Sequence, residues 1–181
     1  MRSRKQAGFT LIEITVVVIL IGLIVSTAIV RLDNALPSTR TEAAARQVLA
    51  TLDLARTSAI GKAAPYEVLF DFKEQRYGIR LPFDEEGTRI ADPEERDILS
   101  WIEVGDGVVM KSLLDPVGQT VDDGTYVLTF DPQGAATDLS LFLGTIDSDE
   151  FELTVRLLAL TGIASVFQGH VEPELLVEND F

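Results

Sequence analysis

Residues 9–30 read FTLIEITVVVILIGLIVSTAIV, an apolar run of 22 residues with one charged side chain, Glu13. A helix that is apolar on every side belongs in a protein core or in lipid, because no face of it is suited to water. At 1.5 Å rise per residue the run reaches about 33 Å, enough for a bilayer core of about 30 Å. Arg2, Arg4 and Lys5 precede it, and the first eight residues contain no acid. Positive charge on that side favours a cytoplasmic N-terminus, which puts the rest of the chain outside the cytoplasm.

Composition narrows what the rest can do. The chain has 181 residues, one ordinary domain plus an appendage. Its net charge is −14, and loss of residues 1–8 would leave 12 basic residues against 29 acids, or −17. Such a surface repels phosphate backbones, so no nucleic-acid partner is expected. Cysteine is absent, which excludes disulfides, a thiol nucleophile and a thiolate metal site. His170 is the single histidine; with no Gly-x-Ser-x-Gly elbow it reads as a surface residue rather than a general base. Asp122-Asp123 and Asp147-x-Asp149-Glu150 depart from the calcium-loop pattern and read as turn acids. The chain is therefore expected to be no enzyme and to hold no metal or cofactor. Trp101, Phe70, Phe72, Phe130, Phe142 and Phe151 read as core aromatics.

Three readings of the N-terminus compete. Ser26-Thr27-Ala28 offers the small-x-small pattern of a secretory signal peptide, but the apolar run exceeds the usual 7–15 residues of such a signal and has a carboxylate near its start. An uncleaved signal anchor is the second. The third starts from the junction Arg2-Ser-Arg-Lys-Gln-Ala-Gly8 followed by Phe9-Thr-Leu-Ile-Glu13, which resembles the leader of type IV prepilins and type II secretion pseudopilins. That resemblance implies cleavage by a prepilin peptidase between Gly8 and Phe9, N-methylation of Phe9, and pairing of Glu13 with the Phe9 α-amino group to set register in assembly. A glycine at the scissile position also leaves the backbone open to the peptidase.

Beyond Arg31 the sequence predicts an interruption at Asp33–Pro37, where proline removes a donor and disfavours helix before it. Thr39 and Glu42 have capping-box spacing, and Ala45, Val48, Leu52, Ala55 and Ala59 recur at steps of three and four, predicting an amphipathic helix ending near Gly61. Short β-rich runs follow at 66–72, 76–81, 99–104, 107–113, 125–130, 139–143, 151–158 and 162–167, separated by turn signals such as Asp106-Gly107 and Asp123-Gly124. The acidic stretch 84–97 reads as a solvated loop.

The expected plan is α+β: a leader over 1–8, a transmembrane and assembly segment over 9–30, an amphipathic second half of the N-terminal helix over 31–61, and a β-rich head over 62–181. One antiparallel sheet, or two packed sheets, would cover the helix. Residues 45–59, Val68-Leu-Phe-Asp71, Phe130-Asp-Pro-Gln-Gly134 and Leu160-Thr-Gly162 are similar to the H-type minor pseudopilins of type II secretion and their FimT relatives. This resemblance implies a pilin-like fold and an inner-membrane subunit with an extracytoplasmic head. Its implied partners are the prepilin peptidase and other major and minor pseudopilins, with a place near the filament tip. The alternatives are a type IV pilus minor pilin of the FimT branch, which serves DNA uptake, and a membrane-anchored extracytoplasmic enzyme or binding domain.

Charge gives the first testable outcome. A soluble fragment beginning at Ser38 should show no appreciable DNA binding by polarisation or gel shift at physiological salt. Submicromolar, salt-sensitive binding would move the assignment to the DNA-uptake branch.

Overall fold

A computed structural model describes the backbone of residues 11–146 and 152–172, with side chains for all of these except 25–37. Helix α1 spans Leu11–Lys62. The chain divides into two compact units, residues 1–36 and 37–181, so α1 contributes to both. The helical assignment continues through Asp33–Pro37, where the sequence predicts an interruption. One proline deletes a single bond from a long ladder, and the turns on either side keep theirs. Thr39 consequently lies inside the helix rather than at its start. At the other end the left-handed turn falls on Ala63 (φ 49°) rather than Gly61, with the Ala64 N–H donating to the Ala59 carbonyl at 3.2 Å. Lys62 in the last turn complements the helix dipole.

Among the described residues nine strands follow: β1 Tyr66–Asp71, β2 Arg76–Arg80, β3 Ile98–Glu103, β4 Val108–Leu114, β5 Thr120–Val121, β6 Thr125–Phe130, β7 Leu139–Thr145, β8 Glu152–Leu158 and β9 Ile163–Gln168. They form two antiparallel sheets, ordered β3-β2-β1-β6 and β5-β4-β7-β8-β9. Every β-rich run of the sequence becomes a strand within a residue or two of its expected ends. The two-residue β5 was not foreseen, being too short to show a period.

One core joins all three layers. Ala44, Ala45, Val48, Leu52, Ala55 and Ala59 of α1 are buried with Val68 and Phe70 of β1, Leu128 and Phe130 of β6, Leu139, Leu141 and Leu143 of β7, and Leu153, Val155 and Leu157 of β8. Four of the six helical residues are alanine, so the backbone can approach both sheets, while each buried Leu or Val contributes roughly 1.5–3 kcal/mol of transfer free energy. On β7 the residues between the leucines, Ser140 and Phe142, are also buried, so the side of this sheet facing away from the core is itself covered.

Three polar devices hold the layers in register. Gln75, in the β1–β2 turn at φ 50°, uses its side-chain amide as a substitute peptide: Nε2 donates to the carbonyls of Phe72 (2.7 Å) and Met110 (3.2 Å), and Oε1 accepts from the Met110 N–H at 2.7 Å. Met110 belongs to β4 and sits at a shift in its pairing with β7, so Gln75 ties the first sheet to the second where the ladder is irregular. The second device is a turn used three times. Asp84, Asp115 and Asp131 each accept from the N–H groups two and four residues on, with glycine at the third following position. An aspartate here satisfies donors that the tight turn would strand.

The third device is an ion triad. Glu67, only 9% exposed, accepts from Arg80 at 3.1 Å and from Arg96 at 3.2 Å. Arg96 also donates to the carbonyls of Ile90 and Ala91. The stretch 84–97 is therefore not simply a solvated loop. Its acids are largely exposed, and it contains a short 3-10 turn over Pro93–Glu95, but Arg96 anchors it to β1.

Removing one member of a buried charge cluster leaves the others uncompensated, at a cost of roughly 3–5 kcal/mol. Glu67→Ala should therefore lower unfolding free energy in urea by about that amount and speed proteolysis within 84–97. Glu42→Ala breaks an exposed pair with Arg46 and should cost at most about 1 kcal/mol. Equal effects from the two would contradict the structural role given to Glu67.

Candidate assembly site

Glu13 lies in the first turn of α1 and is exposed. Around it Leu11, Ile12, Ile14, Val16, Val17 and Val18 are between 46% and 86% exposed, and the pattern continues through Ile24 at 66%. These side chains point to all sides, so no rotation of the helix could hide them against a single flat partner. The Thr15 hydroxyl donates to the Leu11 carbonyl at 2.9 Å, which removes the other polar side chain of this turn from competition for outside partners. Gly22 has open space where a Cβ would stand. A carboxylate at a helix N-terminus gains about 0.3–1 kcal/mol from the dipole, which would hold at any exposed site.

Gly8 and Phe9 lie outside the described residues, as do Asp147, Asp149, Glu150 and Phe151. Side chains of the expected span 9–30 are described only over 11–24. Among the described residues no helix is long and apolar enough to cross a membrane.

The far end of α1 is fastened by two turns. Arg56 donates from Nε to the Thr161 carbonyl at 2.8 Å. A Cβ on Gly162 (φ 59°) would stand 2.0 Å from the Gly134 carbonyl oxygen, and one on Gly134 (φ 85°) 2.6 Å from Ile60. Gly162 is thus required by space as well as by backbone angle, while at Gly134 the backbone angle decides, because the half-exposed Ile60 side chain could move aside. The turn 131–135 and the β8–β9 turn meet over Arg56, joining both sheets to the helix. These are the same segments, Phe130–Gly134 and Leu160–Gly162, that carry the sequence resemblance.

The remaining candidates fall elsewhere. His170 stacks on Phe142, ring centroids 3.9 Å apart and 8° from parallel, with Nδ1 3.3 Å from Glu152 and Nε2 3.5 Å from Glu172. That arrangement seats a terminal segment. Trp101 is 37% exposed and carries the Arg76 guanidinium over its ring at 4.4 Å, so it is a surface aromatic rather than the core residue expected. Gly78 makes this possible, since a Cβ there would meet the Ser100 carbonyl at 2.7 Å and the Trp101 ring at 3.3 Å. Asp122 and Asp123 are exposed, and the described residues contain no cluster of three potential metal ligands. Burial raises the pKa of Tyr66, Tyr126 and Tyr77, the last to about 12. Thr51 opposes the shift at Tyr77 slightly, but its hydroxyl donates to the Gln47 carbonyl and the Tyr77 hydroxyl has no partner within hydrogen-bond geometry. All three phenols stay protonated at neutral pH and cannot act as bases.

Residues 3–29 match the prokaryotic N-terminal methylation motif. No curated protein matches the sequence. Among solved structures, the minor pseudopilin EpsH from the type 2 secretion system of Vibrio cholerae is similar in two determinations: TM-score 0.53 at 13% identity, covering 74% of this chain and 99% of that one, and TM-score 0.52 at 14% identity, covering 75% and 99%. The type IV minor pilin FimU of Pseudomonas aeruginosa aligns with TM-score 0.47 at 13% identity over 73% of this chain and 90% of that one. A helix packed on two antiparallel sheets in the manner of EpsH gives this chain an α+β, pilin-like fold, and its N-terminus carries the methylation motif.

Proposed function

We propose that the protein is an H-type minor pseudopilin of a type II secretion system, acting by assembly rather than catalysis. In this reading a prepilin peptidase cuts between Gly8 and Phe9, Phe9 is N-methylated, and residues 9–30 cross the inner membrane with the N-terminus in the cytoplasm. Residues 31–61 continue the helix into an extracytoplasmic head over 62–181. The subunit then joins other major and minor pseudopilins near the filament tip through its N-terminal helix.

The observation that supports this reading best is the pairing of a methylation motif with exposed apolar residues that surround one carboxylate, Glu13. A charge at mid-membrane costs up to about 2.5–3.5 kcal/mol on insertion scales, less near the interface. Retaining one is easiest to understand if it meets an opposite charge during assembly, and cleavage after Gly8 would create such a charge on Phe9. The acidic head favours protein secretion over DNA capture.

The test is Glu13→Leu. Insertion should be unharmed, since the change removes the run's single charge, and cleavage should persist because Gly8 and Phe9 are untouched. In the filament the amino group of Phe9 would be left unpaired in low dielectric, a loss of roughly 3–5 kcal/mol. The variant should be processed, stay in the membrane, and fail to co-purify with partner pseudopilins or to restore secretion. Normal association and full secretion would leave Glu13 as a helix-terminal charge with no part in assembly.

A further inference from the structure

The side of the second sheet that faces away from the core carries Ser140 and Phe142 of β7 and Thr154 and Arg156 of β8. Register pairs Phe142 with Thr154 and, one rung further along the same face, Ser140 with Arg156. An outward rung of a two-layer head should be wet, yet Ser140 and Thr154 are 0% exposed and Phe142 is 2% exposed.

The first of these rungs is covered by the chain itself. After β9, the Gly169 N–H donates to the Glu152 carbonyl at 2.7 Å, the Thr154 hydroxyl donates to the Gly169 carbonyl at 2.6 Å, and the Val171 N–H donates to the Thr154 hydroxyl oxygen at 3.0 Å. His170 meanwhile lies flat on Phe142. Gly169 and Val171 are thus both held at Thr154, and the Ser140–Arg156 rung is the next one on the same face.

At that second rung two polar atoms lack partners among the described residues. The Ser140 Oγ and the Arg156 Nε are buried without a hydrogen bond, an arrangement that is costly for each such group unless something satisfies it. The sequence that continues from Val171 is Glu172-Pro-Glu174-Leu-Leu-Val-Glu178-Asn-Asp-Phe181, with four acids and no base. Rungs on one face are about 7 Å apart, and three extended residues span about 10 Å.

We infer that the outward face of the second sheet is a docking site for the chain's own C-terminal segment, residues 173–181, with the Glu174 carboxylate accepting from Arg156 and Ser140. Leu175, Leu176 and Val177 supply the apolar cover and the Glu174–Arg156 pair supplies the register. The assignment is independent of the secretion role, because it rests only on the head.

Two measurements on the full chain in detergent test it. In the native protein, chymotrypsin should cut at Leu175 and Leu176 slowly and at a rate unchanged by dilution. Arg156→Gln should speed that cut about tenfold or more, in line with a docked segment whose opening equilibrium has lost one charge-assisted contact. A native cut as fast as that of unfolded protein, or one unaltered in Arg156→Gln, would overturn the inference. Protection lost on dilution would overturn it too, by showing that a second copy provides the cover. Should Arg156→Gln fail to fold, the otherwise cysteine-free chain allows Ser140→Cys combined with Leu175→Cys. An intramolecular disulfide is expected, and an intermolecular disulfide or none would contradict the docking.

Discussion

Residues 11–24 expose large apolar side chains on all sides of a helix, and burial of each is worth roughly 1.5–3 kcal/mol. Only lipid or other apolar helices can supply that burial around a full circumference. The second half of α1 is built on a different rule. There Ala44, Ala45, Val48, Leu52, Ala55 and Ala59 form one narrow face directed into a core shared with both sheets, and the exposed positions mix polar residues with Leu54 and Ile60. The two halves of α1 therefore carry different surfaces, exposed and apolar over 11–24 and with one buried face over 44–59.

The small residues of α1 have consequences further out. Because alanine leaves the helix backbone close to the sheets, the turns at its far end come within contact distance, and a Cβ on Gly162 would fill the space against the Gly134 carbonyl. Arg56 closes this junction by donating to the Thr161 carbonyl. Elsewhere in the head, Gln75 and the Glu67–Arg80–Arg96 triad do comparable work with polar groups, one joining the two sheets and the other fastening a long acidic loop. None of these places resembles a reaction site, for their polar atoms are engaged with one another or with backbone.

Much of this was legible in the residues, for identifiable reasons. Alternation and turn chemistry located β1 through β9 apart from β5, because a strand buried on one or both faces writes its period into four or more residues. The step of three and four marked the core face of α1 for the same reason. What stayed hidden was contact between distant residues. A buried Arg96 looks the same in sequence as the exposed Arg89 seven positions earlier, and nothing in Gln75 announces that it will stand in for a peptide group against Met110. Trp101 was misread because aromatic residues are usually buried, while the space over Gly78 that lets it lie on the surface belongs to a neighbouring strand. At the N-terminus the junction Gly8-Phe9 and Glu13 were picked out by motif alone.

The account depends most on processing at that junction. Intact-mass and N-terminal peptide mass spectrometry of the protein extracted from membranes of cells with a prepilin peptidase would examine it directly. A mature chain beginning at methylated Phe9 is the expected result. A chain beginning at Ile29 would mean cleavage as a secretory signal after Ala28, and a chain retaining Arg2 to Gly8 would mean an uncleaved anchor; either would contradict the pseudopilin assignment.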